Sequence, residues 1–525
     1  MPRSGSEHGT RASTPRSYPV LPATATVLRV IHVFRVLVLL LVSPGLVLAN
    51  PNAMNLPDMG SPSDTVLSKE REAQIGRMVL RQLRDAGSIV EDPLVDQYIQ
   101  DIGHRLAGHA HEGDFNFHFF IVDDGAINAF AMPGGYIGIN RGLIEATRNE
   151  SELAGVLAHE IAHVTQRHIS RSIAAGRRTS IVAAATMLAA VILGAAAGGD
   201  AAMGAMAMGQ SFAIEQQIAF TRANEYEADR VGIGVLASAG FDPEGLPRFF
   251  EVLHRRYGMS TVQVPEFLRT HPVTSSRIAE GMNRARQMER PGQVEDSLSY
   301  ALTRARLRVL SSRTPEAARN WFEDELRRDE HPRAALEYGL ALAELRQARP
   351  DRALLTFQRK VEQHPEVVHY HIGLAEAYMA TRDLDEALGV YGRALRLFPR
   401  NLPLVIHYSE ALLAANQPGE AHRVLLDLLN NVPPTPEQIR LIAMAASASG
   451  EMAEAHYYMA EFHIVNGNAP LAVNQLYMAL AAPDLNPVQQ ARFEARIQWI
   501  MDTVPDELRR ELERQTRNPP GQARR

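Results

Sequence analysis

The sequence contains no cysteine in 525 residues. That absence excludes disulfides, thiolate metal ligands, cysteine nucleophiles and a lipid on an amino-terminal cysteine. Aromatic residues are scarce at 6%, with only two tryptophans, so no aromatic-rich binding platform is expected. Positive charge is not in excess either: 54 lysines and arginines face 60 aspartates and glutamates, a formal net charge of -6. Such a balance gives no polycationic surface for nucleic acid, and no nucleic-acid motif is evident. What remains is globular composition, 46% hydrophobic and 22% charged, at a length that suggests roughly three domains or a few more.

Residues 1–49 read as a targeting segment. Arg3, Arg11, Arg16, Arg29 and Arg35 precede the apolar run from Val36 to Val42, and Val47-Leu48-Ala49 has the small-residue pattern that signal peptidase favours. The expectation is export to the periplasm with cleavage near Ala49. The alternative is an uncleaved anchor, but Ser43-Pro44-Gly45 interrupts a run already short for a span. Residues 50–67, rich in proline, asparagine and serine, read as a linker.

Two helical patterns follow. One begins at Ser68 and carries Ile75, Met78, Val79 and Leu83; the other opens at Asp92-Pro93 and carries Val95, Tyr98, Ile99 and Leu106. His104, His109 and His111 cluster at the end of the second without the spacing of a metal site. The stretch from Phe115 to Val122 alternates like a strand, and Ala129 to Pro133 and Tyr136 to Ile139 complete a small sheet. Pro133 favours an edge, where an extended peptide can pair, although a plain hairpin fits the residues equally well.

His159-Glu160-Ile161-Ala162-His163 lies in a helix that Asn149 and Glu152 begin as a capping box. Leu153, Val156, Leu157, Ile161 and Val164 form its apolar face, with His159 and His163 within about 40° of each other at the margin. Glu160 falls inside the apolar arc. A carboxylate buried there without a partner is costly, whereas a metal and its water supply one. Further on, Glu225 and Asp229 share a helix face, with Glu227 on the other side. A hydrolytic zinc takes three protein ligands and an open position, so Glu225 is the natural third ligand, and Asp229 can fix the tautomer of a ligand histidine. In isolation the Glu225 to Arg230 stretch would read as a salt-bridged helix face.

Between these segments, Ile181 to Ala197 carries no charge and is rich in alanine and glycine. A single membrane crossing there would put His163 and Glu225 on opposite sides of a bilayer, so 181–209 reads as a buried or membrane-surface hairpin that covers the site. The second half is repetitive. Ala353, Ala387, Ala421 and Ala455 recur every 34 residues, as do Pro365, Pro399 and Pro433. Together with Leu374, Ala375, Tyr378, Tyr391 and Ala394 they match the packing positions of tetratricopeptide repeats. A degenerate unit around Tyr300 to Pro332 precedes them, and Ala472, Leu476 and Ala479 continue them. A concave face of such an array is a surface for a protein partner or substrate.

The targeting segment, the histidine motif, Glu225 and Asp229, and Thr270-His271-Pro272 with Arg277 resemble the β-barrel assembly-enhancing protease family over about Ser68 to Asp502. The resemblance implies a mostly α fold. It has a zincin-like metallopeptidase domain with a small β-sheet over 68–290 and an α-solenoid of tetratricopeptide repeats over 298–502; beyond the resemblance, residues 503–525 read as a tail that is polar, proline-containing and basic from Thr516. It also implies one zinc ion per chain on His159, His163 and Glu225, catalysis by Glu160, support or proton donation by Asp229, and His271 as a regulatory fourth ligand. From sequence alone His271, followed by proline, reads as a solvated loop histidine, and Arg277 could assist an oxyanion. The implied partners are misassembled outer-membrane proteins as substrates and the outer-membrane assembly machinery at the repeats. The competing expectation is a tetratricopeptide scaffold or chaperone whose metal site is latent or structural.

Overall fold

A computed structural model describes residues 68–110, 115–175, 222–257, 264–288, 294–328, 330–429, 434–483 and 485–517. The targeting segment, the 50–67 linker, His111, Pro433 and the 181–209 stretch lie outside the described residues. Among the described residues, no helix is long and apolar enough to cross a membrane.

Helix α1 (Lys69–Asp85) starts at Ser68, whose hydroxyl accepts from the Arg71 amide, and α2 (Pro93–Ala107) starts at Asp92, which accepts from Val95. Each cap satisfies a first-turn amide that the helix itself leaves unpaired. The sheet comprises β1 (His118–Val122), β2 (Ala129–Met132) and β3 (Tyr136–Asn140), in the order β1-β3-β2. β1 runs parallel to β3, with Phe120 opposite Gly138; β2 runs antiparallel to it, with Ala131 opposite Ile137. Gly134 and Gly135, at φ of 80° and 86°, reverse the chain between β2 and β3. β2 is therefore an edge strand, and Pro133 follows it where a missing amide breaks no ladder.

Helix α3 (Arg141–Ala146) leads to α4 (Glu150–Thr165), which carries the histidine motif. Its start differs from the expected capping box by one residue. Asn149 caps the Glu152 amide, but the Glu152 carboxylate accepts from the amide and guanidinium of Arg148. The larger difference is burial: every residue of α4 is buried, not one face alone. The helix is enclosed by the sheet, by α2, by α6 (Arg222–Ser238) and by α7 (Gly245–Tyr257). Two glycines permit that enclosure. A Cβ on Gly155 would lie 2.7 Å from the Leu246 nitrogen of α7, and one on Gly232 of α6 would lie 3.0 Å from the His159 nitrogen. Helices α5 (His168–Ala175), α8 (Glu266–Thr270) and α9 (Ser275–Arg286) complete the described part of this domain.

Helix α10 (Leu298–Ser311) belongs to two cores at once. Tyr300 and Leu307 join the core around α4, while Leu302, Ala305 and Val309 begin the core of the repeats. Its first turn is bolted to that of α4: the Glu150 carboxylate accepts from the Ser297 amide and hydroxyl and from Tyr98, and Asp296 accepts from the Glu150 amide. From there helix pairs stack in sequence: α11 (Pro315–Arg328) after α10, then α12 (Arg333–Arg346) with α13 (Pro350–Gln363), and α14 (Val368–Thr381) with α15 (Leu384–Leu397). They continue as α16 (Leu402–Ala414) with α17 (Pro418–Leu429), α18 (Pro436–Ala448) with α19 (Met452–Val465), and α20 (Ala469–Leu480) with α21 (Pro487–Thr503). Ala353, Ala387, Ala421 and Ala455 are all buried, as their spacing requires. Phe322 presses on Gly339, and one repeat later Phe357 presses on Gly373.

One expectation for this array needs correction. The assigned tail begins at 503, yet α22 (Asp506–Arg517) packs Leu512 into the last core with Phe493 and Ile500. Leu508 and Leu512, four residues apart, give this helix an apolar stripe that covers the end of the array, as terminal repeats require. Arg306 of α10 holds Asp92 at 2.7 Å and reaches Tyr338 of α12 and Glu376 of α14; Asn401 reaches Gln97; Glu437 of α18 lies 3.6 Å from Arg84. One side of the array therefore embraces residues 84–97 of the first domain.

Candidate metal centre

Because α6 crosses α4 at Gly232, residues one and two turns earlier on α6 lie beside the histidines. Glu225 and Asp229, both buried, occupy those turns. Candidate ligand atoms of His159, His163, Glu225 and His271 all lie within 4.8 Å of one another. Nε2 of His163 is 3.0 Å from Nε2 of His159 and 3.6 Å from Glu225. His271, at the end of α8, brings Nδ1 to 3.1 Å from Glu225 and Nε2 to 3.6 Å from Glu160. It is buried, not solvated as its loop context suggests, because Phe267 before it is anchored to the Ile127 carbonyl and stacks beside its ring.

Around this group lies a layer of supporting contacts. Nδ1 of His159 is 3.0 Å from Asp229, the pairing that the four-residue spacing of Glu225 and Asp229 suggested. Arg277 donates through Nε and Nη2 to both oxygens of Asp229 at 2.7 and 2.8 Å, and Nη1 lies 2.8 Å from Glu225. Its remaining bond, 2.9 Å, goes to the Pro272 carbonyl. The expected role in oxyanion binding is thereby corrected: the guanidinium is committed to two carboxylates. His168 was not singled out from sequence. Its Nδ1 is 2.9 Å from Nδ1 of His163, and its Nε2 is 3.0 Å from Glu227.

The electrostatics follow from burial and pairing. Burial opposes ionisation of His159, but hydrogen bonds that it donates to Asp229 and then to Glu225 outweigh it and raise its pKa to about 9. For His163 burial and then the neighbouring His159 act together and push the pKa well below the usual value, which favours the neutral form that ligates metal. Glu225 is held well below the carboxylate range, since His271 and His159 overcome the burial penalty. Glu160 is raised, chiefly by burial. Both oxygens of Glu160 are buried without a hydrogen-bond partner among the described residues. A buried carboxylate without hydrogen bonds, next to imidazoles and another carboxylate, is what a cation and a polarised water would satisfy. The residues present fit a bound metal ion.

The fold and this donor group are those of a metalloprotease joined to a tetratricopeptide array. The family model of Peptidase family M48 matches residues 93–285, and tetratricopeptide repeat models match 338–401 and 378–445. The beta-barrel assembly-enhancing protease of Escherichia coli is 34% identical over 452 residues, covering 86% of this chain and 92% of that one. A putative beta-barrel assembly-enhancing protease of Vibrio cholerae is 34% identical over 456 residues, covering 86% and 94%. The mitochondrial metalloendopeptidase OMA1 of Arabidopsis thaliana is 25% identical over 244 residues, 46% of this chain and 45% of its own. The chain belongs to the β-barrel assembly-enhancing protease family.

Proposed function

We propose that this metalloprotease is a zinc endopeptidase of the periplasm that acts on misassembled outer-membrane proteins and is guided by its repeats to the outer-membrane assembly machinery. The observation that carries the catalytic part is Glu160, buried without a hydrogen bond to either oxygen among the described residues, beside His159, His163 and Glu225. Imidazole and carboxylate donors suit zinc, which takes His159, His163 and Glu225 as its protein ligands. When bound, the ion supplies Lewis-acid polarisation of the scissile carbonyl and lowers the pKa of water. Glu160 takes the proton of the attacking water on its carboxylate and returns it to the leaving amide nitrogen. Asp229 holds Nδ1 of His159, so that Nε2 faces the ion. β2, an edge strand of the sheet that packs against α4, supports a reading in which an extended substrate pairs with the sheet near Glu160.

His271 places a fourth donor where hydrolysis needs an open position, which supports a resting state that it closes. The arginine-rich targeting segment and the names of the relatives support the periplasmic and outer-membrane assignments. The test is Glu160→Gln. Cleavage of casein falls by at least about two orders of magnitude, metal content stays at one zinc per chain, and the variant traps its cellular substrate. Residual cleavage at the native rate would refute the mechanism. Full complementation of a deletion by the inactive variant would favour the scaffold reading.

A further inference from the structure

His168 enters the site from a position that a continuous helix would not give it. At about 100° per residue, the five-residue step from His163 turns about 140° away. The helix breaks at Arg167, whose φ of 53° is left-handed. Its guanidinium donates at 2.6 Å to Glu72, a buried carboxylate of α1 that also accepts from Ser170. Helix α5 therefore starts in a new direction, and fully buried His168 meets His163 through facing Nδ1 atoms 2.9 Å apart. Behind it, Nε2 lies 3.0 Å from Glu227, which Arg171 also holds at 3.1 Å.

Donor and acceptor capacities place the hydrogens. A carboxylate only accepts, so Nε2 of His168 carries a hydrogen toward Glu227. On the reading proposed above, Nε2 of His163 holds the metal, so the hydrogen of that ring sits on Nδ1. The two facing Nδ1 atoms share one hydrogen. We propose that His168 is a positioning residue: a neutral imidazole, anchored by Glu227, whose Nδ1 accepts the hydrogen of His163 and fixes that ligand in the tautomer with Nε2 open to the ion. His159 obtains the same service from a carboxylate, Asp229. Using a ring for His163 adds no further carboxylate in contact with the ligands, which limits the negative charge set against the ion.

The inference rests on His163 being a ligand, and the experiment separates the two. Zinc affinity of the full chain is measured by competition with a chromophoric chelator for the native protein, His168→Leu, His168→Asn and His163→Ala. His168→Leu removes the acceptor and weakens zinc binding by about 10–100-fold. His168→Asn, whose side-chain oxygen can stand in for Nδ1, recovers most of that loss. Loss of stoichiometric zinc in His163→Ala together with native affinity in His168→Leu would overturn the role of His168 alone. Undiminished zinc binding by His163→Ala would overturn the ligand reading beneath it. Nitrogen-15 spectra of histidine-labelled, zinc-loaded native chain need no variant to fold: His168 is expected neutral with its hydrogen on Nε2, and a doubly protonated ring or an Nδ1–H tautomer would overturn the proposal.

Discussion

Arg277→Leu tests how the centre is held together before any metal binds. The guanidinium is 2% exposed and joins Glu225, 2% exposed, to Asp229, 8% exposed. Leucine keeps the apolar contact with Phe250, over whose ring the guanidinium lies at 5.0 Å, but leaves two buried carboxylates without their cation. Removing one partner from a buried ion pair costs about 3–5 kcal/mol. At about 1.4 kcal/mol per factor of ten, local opening of α6 becomes more frequent by about two to three and a half orders of magnitude. Hydrogen exchange in peptides spanning 222–238 reads this directly in the metal-free full chain. Both tryptophans, Trp321 and Trp499, lie in the repeats, so their fluorescence provides a control that should not change. Added zinc narrows the difference, because a cation beside Glu225 restores compensation and binding favours the folded form. Less than tenfold acceleration in the metal-free variant would show that the Arg277 pairs do not hold the site.

Three further outcomes are expected. On the proposed resting state, in which His271 closes the fourth position, His271→Ala should raise the rate of peptide hydrolysis without loss of zinc; a slower enzyme would argue that His271 assists the reaction. Gly373→Ala would set a Cβ 2.5 Å from the ring of Phe357, which costs the array about 1–3 kcal/mol in urea unfolding, and Phe357→Leu in the same chain should recover part of it. Burial, and then Arg306, lower the pKa of His369 to about 4. The unfolded chain, near 6.5, binds that proton more readily, so stability present above about pH 6.5 is lost as pH falls toward 4, by about 2 kcal/mol at pH 5. Tryptophan-monitored unfolding at pH 7 and 5 measures the loss; an equal pH dependence in His369→Phe would exclude His369 as its source.

Elements whose signals are local could be read directly along the chain. Ser68, Asp92 and Asn149 mark helix starts because a cap acts within three residues, and the 34-residue recurrence of Ala353, Ala387, Ala421 and Ala455 marks helix pairs because each must admit a close neighbour. Glu160 was legible for a related reason: a carboxylate in an apolar arc is costly unless a function requires it. Tertiary structure alone decided the rest. His168 joins His163 only because Arg167 leaves the helical conformation, a turn stabilised by Glu72, which lies 95 residues away. Arg277 could be read as an oxyanion donor because nothing in the chain near it reveals the two carboxylates that α6 presents. One side of the repeats packs against residues 84–97, a consequence of how α10 joins two cores. Spacing along a helix is fixed by its geometry, whereas contacts between distant segments depend on the angle at which packed elements cross, and that angle is set by side chains from all of them at once.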